Sequence, residues 1–150
     1  MAVIISPAAF DPYQALQDHQ HAHLAQLGSV GAAAIFIGTM RDFNDGATVK
    51  GMTLDYYPGM TEKQLGLCVQ QAQQQWAIID SLIVHRVGDI LPLDPIVLVA
   101  VWSAHRGDAF DACRFIMETL KSTAPFWKRE RLASDELRWV EHNSKGYGAV

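Results

Sequence analysis

Residues Pro95 to Trp102 read Pro-Ile-Val-Leu-Val-Ala-Val-Trp, an apolar run with neither alternation nor charge. A strand of this kind has to be buried on both faces, so it belongs at the centre of a sheet with further layers packed over it. Val30 to Met40 is likewise small, apolar and uncharged, which predicts a second buried strand, and Arg41 follows directly where that strand leaves the core. With 150 residues, 49% of them hydrophobic, the chain has material for one packed unit and too little length for two ordinary ones, so residues 1–150 are expected to form a single domain.

The remaining segments alternate between helical and strand signals. Ala2 to Ser6 is a short β-prone run. Asp11-Pro12 offers an N-cap followed by proline at the first helical position, opening a helix that Gly28 can close, with Leu16, His23, Leu24 and Leu27 on its face. Asp42 to Lys50 reads as a polar loop with Asn44 and Gly46 as turn residues, and Met52 to Tyr57 as the returning strand. Pro58-Gly59 breaks that strand. Thr61 with Gln64 is the signature of a capping box for a helix to about Trp76, whose apolar stripe is Leu65, Cys68, Val69, Ala72 and Trp76. Ser81 to Val87 is another strand, joined to the central run through Gly88 to Asp94, with Pro92 as a turn residue. A third helix is expected from about Asp108 to Ser122, stopped by Pro125, and β-prone runs at Phe126 to Arg131 and Leu137 to Glu141 precede a Gly-rich tail. Strands in pairs with helices between them predict an α+β domain with a mixed or antiparallel sheet and three main helices.

Charge narrows the function. Twelve basic and sixteen acidic residues give a net charge of −4, the wrong sign for a broad nucleic-acid footprint. That average hides an island: Lys121 to Arg131 holds Lys121, Lys128, Arg129 and Arg131 against Glu130 alone. A small anionic ligand fits this distribution. The start has no basic leader and no apolar run is long enough to span a membrane, so a cytoplasmic protein is expected. Cys68 and Cys113 lie in apolar helical patterns, which argues against a disulfide or thiolate metal site.

The third helix carries the most specific chemical signal. Phe110, Cys113, Met117 and Lys121 share one face, because eleven residues at about 100° each return Lys121 to within roughly 20° of Phe110. A lysine therefore ends an apolar stripe. It either snorkels to water or is partly desolvated, with a lowered pKa usable in proton transfer. Phe126-Trp127-Lys128-Arg129-Glu130-Arg131 follows the proline stop; as a strand it puts Phe126, Lys128 and Glu130 on one side and Trp127, Arg129 and Arg131 on the other. It reads as a charged edge strand or as an aromatic-walled anion site. His105-Arg106 ends the central strand just before a helix N-terminus, where backbone N–H groups favour anions. Arg41, His105 and Arg106 are thus candidates to converge on one anion. His19, His21 and His23 are expected on a solvated helix face, since no third metal ligand is evident, and His85 and His142 read as structural or surface residues. No metal and no cofactor is implied.

Gly38-Thr-Met-Arg41-Asp-Phe-Asn44-Asp-Gly46, Tyr57-Pro-Gly-Met-Thr-Glu62, His85-Arg86-Val-Gly88, Ser103-Ala-His105-Arg106, Leu120-Lys121 and Ala124-Pro-Phe126-Trp-Lys128-Arg-Glu130 together resemble the large, catalytic subunit of molybdopterin synthase. The resemblance runs from about residue 31 to 140 and leaves the His-rich helix without an inherited role. It implies an α+β hammerhead fold and a sulfurtransferase of molybdenum cofactor biosynthesis. In that reaction cyclic pyranopterin monophosphate receives two sulfurs from the thiocarboxylated C-terminal Gly-Gly of a small ubiquitin-like subunit, becoming the dithiolene molybdopterin. The resemblance also implies a homodimer of large subunits within a heterotetramer. It assigns catalysis to Lys121 and Lys128, anion binding to Arg41, His105 and Arg106, and other pocket positions to Phe36, Met117, Phe126 and Glu130. Neither cysteine is expected to carry sulfur. Two other readings stay open on the residues alone: a stand-alone enzyme acting on a small phosphorylated metabolite, and a non-catalytic scaffold binding a ubiquitin-like tail.

Overall fold

The computed structural model describes residues 1–142 and 146. The rest of the Gly-rich tail after Gly146 lies outside the described residues. In chain order the elements are β1 (Ala2–Ser6), α1 (Pro12–His23), β2 (Ala32–Thr39), β3 (Phe43–Asn44), β4 (Ala47–Tyr56), α2 (Met60–Gln75), β5 (Ile78–Arg86), β6 (Gly88–Ile90), β7 (Pro95–Ser103), α3 (Arg106–Thr123), β8 (Phe126–Leu132) and β9 (Leu137–Trp139). The class is α+β, as the pairing of strands predicts.

The apolar run Pro95–Ser103 is central, in a sheet ordered β1-β5-β7-β2. Only β1 and β5 are parallel; β5–β7 and β7–β2 are antiparallel. Successive β7 residues face opposite layers, as the strand period requires. Val97, Val99 and Val101 pack under α2 and α3 with Leu65, Val69, Ala72, Ala112, Ile116 and Leu120. Leu98, Ala100 and Trp102 pack with Leu82, Val84 and Leu24 on the other face. At roughly 1.5–3 kcal/mol for each fully buried aliphatic side chain, these two layers dominate the stabilisation of the sheet.

A second sheet, β3-β4-β8-β9 with β6 paired to β4, closes over Met40, Val49, Met52, Leu54, Val87 and Ile90. Asp45 and Gly46 have φ of 46° and 76°, the left-handed pair of a tight hairpin turn between β3 and β4. Beyond the C-terminus of α3, Ala124-Pro125 turns the chain into β8. Thr61 secures that corner, its buried Oγ1 donating to the Pro125 carbonyl at 3.2 Å and accepting from Tyr57 N–H at 3.1 Å.

Several expectations are corrected. Val30 to Met40 is not a buried strand: β2 is the sheet edge, with Ile35 45% and Phe36 41% exposed and only Ala34 buried within the strand. Small uncharged residues suit a strand covered on one side by a helix as well as one covered on both. The first helix stops at His23 instead of reaching Gly28, and Leu27 is exposed. Asp11 does cap it, accepting from Tyr13 and Gln14 N–H. The second helix is capped by Glu62, whose Oε2 accepts from Gly59 N–H at 2.6 Å, because Gly59 at φ 81° starts the helix one residue before Met60. Thr61 is thereby placed inside the helix. Short strands β3 and β6 form in segments that read as a loop and a turn. Phe110 is 66% exposed, so the apolar stripe of α3 is buried only from Cys113 to its C-terminal end. The strand β8 lies between β4 and β9 and is not an edge.

Candidate active site

Two strand ends and one helix end meet around Lys121 and Lys128. Lys121 projects from the last turn of α3, Lys128 from β8, and the two amines are hydrogen-bonded to each other. Such a contact requires at least one of them to be neutral. Burial lowers the pKa of Lys121, with the bond to Lys128 partly opposing it. Lys128 is brought down to about 7, first by burial and then by the charge and hydrogen bond of Lys121, with Glu130 pulling the other way. Lys121 therefore ends its apolar stripe desolvated, not snorkelling to water.

The lysine pair separates two clefts. One is lined by Arg41, Phe43, Asn44, Glu130, Val140 and His142 besides the two lysines. The other is lined by His85, Leu120, Ala124, Phe126, Val140 and Glu141 besides the same lysines. Both lysines thus present to either side. Alternation along β8 puts Phe126, Lys128 and Glu130 inward, as its sequence predicts, while Trp127 and Arg131 are exposed.

Glu130 is buried and held from two directions, accepting from Asn44 Nδ2 at 2.6 Å and from Arg138 Nη2 at 3.1 Å. Arg138 Nη2 also donates to the Asn44 carbonyl. This network pins the β3–β4 hairpin to β8 and so fixes the wall beside Arg41, whose guanidinium lies 4.9 Å from the centre of the Phe43 ring.

The structure does not bring every candidate together. Phe36 and Met117 line a separate apolar groove between β2 and α3, with Ile35, Phe110 and Arg114. His105 and Arg106 are exposed at the N-terminus of α3, fifteen residues before Lys121 at the nearer of the two, or about 22 Å along the axis. The expected convergence of Arg41 with His105 and Arg106 therefore fails within one chain. The cause is strand direction: β2 and β7 are antiparallel, with Thr39 opposite Pro95 and Ala32 opposite Ser103, so Arg41 and His105 follow strand ends that point in opposite directions along the sheet.

One histidine differs from its expected place, and a second gains a neighbour the sequence does not announce. His19 is buried, its Nε2 2.7 Å from Asp80 Oδ2 and its ring stacked on Trp102, while His21 and His23 are exposed. Burial alone would raise the Asp80 carboxyl, but hydrogen bonds from the Met1 amino group and His19 hold it below the usual range. His85, read as structural or surface, is 2% exposed, stacked on Phe126 at 3.9 Å, and lines the second cleft. Its place follows from strand parity with Ile83 on β5, but the neighbour that gives it meaning is on β8, out of reach of local patterning. Cys68 and Cys113 are buried free thiols, each pushed up to about 11 by burial. Among the described residues no group of three or more His, Cys, Asp or Glu could hold a metal, and no helix is long and apolar enough to cross a membrane.

The family model described as MoaE protein matches residues 10–123. A molybdopterin synthase catalytic subunit from Pseudomonas aeruginosa is 50% identical over 141 residues, covering 94% of this chain and 91% of that protein. One from Ralstonia nicotianae is 59% identical over 112 residues, 75% of this chain and 63% of the relative's length. Among solved structures, a molybdopterin biosynthesis MoaE protein from Burkholderia ambifaria has a TM-score of 0.76 and 42% identity, covering 97% of this chain and 92% of that one.

Proposed function

The chain belongs to the MoaE protein family, and from that premise we propose that it is the catalytic subunit of a molybdopterin synthase, moving sulfur from a thiocarboxylated small subunit onto cyclic pyranopterin monophosphate. The observation that carries the reading is the desolvated lysine pair set between two clefts. Sulfur transfer to a cyclic phosphate ester needs one anion held, another delivered, and protons moved near neutral pH. An amine near pKa 7 beside a second amine suits the proton transfers. The Arg41 cleft is the better place for the pterin phosphate, and the cleft beside Phe126 for an extended C-terminal tail. Lys121 stabilises charge as the thiocarboxylate reacts, and Lys128 acts as general acid and base. Buried thiols with raised pKa values leave the small subunit as the sulfur source.

The relatives' own name, catalytic subunit, supports a partner subunit. The outer edge of β2, which no other strand pairs with among the described residues, carries exposed Ile35 and Phe36 beside Phe110 and supports self-association of this chain. In such a dimer, His105 and Arg106 from a second copy are available to a lysine cleft that their own chain cannot reach. The two free cysteines suit a reducing cytoplasm.

The test is to mix the protein with a thiocarboxylated small subunit and the pterin precursor and look for dithiolene product by mass spectrometry. Lys121→Ala and Lys128→Ala should lose product while still binding the small subunit. Full activity of both variants with saturating partner would remove the lysines from catalysis and leave a scaffold.

A further inference from the structure

His85 belongs to no role assigned above, yet it forms the floor of the cleft behind the lysines. Its Nδ1 lies 2.8 Å from the Arg86 carbonyl, an acceptor only, so Nδ1 carries the proton and donates. The backbone thereby fixes the tautomer. The ring lies parallel to Phe126 with 15° between planes and centroids 3.9 Å apart, closer than most aromatic pairs. Phe126 is two residues before Lys128 on the same face of β8, and Leu120, beside Lys121, lines the same cleft. Two stacked rings and a leucine therefore line the cleft that both amines share.

A second imidazole state would undo this arrangement. A cation at His85 would face both lysines, and burial together with those two charges brings its pKa down to about 3. The charged groups lining this cleft with His85 are Lys121 from α3, Lys128 from β8 and Glu141 after β9, Arg86 is next to His85 on β5, and Glu130 and His142 line the other cleft across the lysines.

We propose that His85 is a positioning residue for the lysine pair: its backbone-locked ring, stacked on Phe126, forms a neutral dry wall that keeps water from solvating Lys121 and Lys128. The role rests on the functional reading above only in so far as those lysines are the reacting groups. It acts through the lysines and exchanges no proton of its own.

The experiment reads the lysines directly, without turnover. The free 150-residue protein is labelled with trace acetic anhydride across pH 6 to 10.5, and the labelling midpoint of Lys128 is taken from peptide mass spectrometry. His85→Asn keeps an N–H near the Nδ1 position but removes the ring, and its Lys128 midpoint should rise by about one pH unit or more, a roughly fivefold or greater loss of reactive fraction at pH 7. His85→Phe keeps the wall and should stay within about 0.3 units of wild type. Should His85→Asn fail to fold, Phe126→Leu removes the other ring of the stack and should raise the same midpoint. An unmoved midpoint in a folded His85→Asn or Phe126→Leu protein overturns the proposal, as does a His85→Phe midpoint as high as that of His85→Asn. Because labelling needs neither small subunit nor pterin, a missing sulfur-transfer activity would overturn the functional reading alone.

Discussion

At the scale of the residue, the unusual quantity is the proton affinity of Lys128. Burial and Lys121 bring it from 10.5 to about 7, so near neutral pH it is divided between amine and ammonium, which lets one side chain give and take a proton. Arginine in its place keeps the cation and abolishes the exchange. Lys128→Arg should lower the rate of product formation by about a hundredfold or more with the fold retained, measured by single-turnover mass spectrometry beside thermal unfolding. The same displaced affinities appear in stability. His85 has a folded pKa of about 3 against 6.5 when free, so the unfolded chain binds the extra proton between those values. Its contribution is complete above pH 6.5 and is lost as pH falls toward 3. His85→Phe removes that term. The urea stability of wild type should therefore fall relative to His85→Phe by up to roughly 3 kcal/mol between pH 7 and pH 4. Parallel stability profiles for the two proteins would show that His85 is not buried neutral.

At the scale of the element, the site depends on corners more than on strands. Gly31 precedes β2 and donates its N–H to the Ser103 carbonyl at 3.0 Å, and a Cβ there would overlap the Ala104 carbonyl oxygen. The obstacle is backbone, so it cannot swing aside. Gly31→Ala should cost about 1–3 kcal/mol in denaturant unfolding and shift the Ala104–His105 turn, raising the apparent KM for the phosphorylated precursor more than it lowers kcat. Elements of this kind explain what was legible in the sequence. The apolar run Pro95 to Trp102 announced a central strand because nothing else tolerates burial on both faces. The alternation Phe126, Lys128, Glu130 announced that Lys128 shares a face with Phe126 and Glu130, and the spacing from Cys113 and Met117 put Lys121 at the end of a buried stripe without deciding whether its amine reaches water. Pairings between distant segments were not legible. The His19–Asp80 contact joins residues 61 apart, and the Asn44–Glu130 bond joins residues 86 apart. The edge position of β2 was hidden for the same reason: small apolar residues satisfy one-sided and two-sided burial equally, and only the sheet order decides between them.

At the scale of the whole molecule, α3 sets the geometry of function. Its eighteen residues span about 27 Å, with His105 and Arg106 at the start and Lys121 near the end. Antiparallel β2 and β7 carry Arg41 to the lysine end and His105 to the other. A single copy therefore holds two cationic stations facing different surroundings, one enclosed with a buried carboxylate beside it and one exposed at a helix N-terminus. If both serve one phosphate, they come from two copies, joined in a way that sets the N-terminus of one α3 beside the C-terminal end of the other. Mixing variants distinguishes this from two independent sites. A Lys121→Ala/Lys128→Ala chain and an Arg106→Ala chain should each be strongly impaired alone. After co-refolding in equal amounts, random pairing makes half of the dimers hybrid, and each hybrid holds one site with intact lysines from one chain and intact Arg106 from the other. About one quarter of wild-type activity should return, in proportion to the hybrid fraction measured by native mass spectrometry. If Arg106 instead serves the lysines of its own chain, the hybrid has no intact site and recovers nothing. The yield of the mixture thus reports which copy's helix N-terminus completes the lysine cleft.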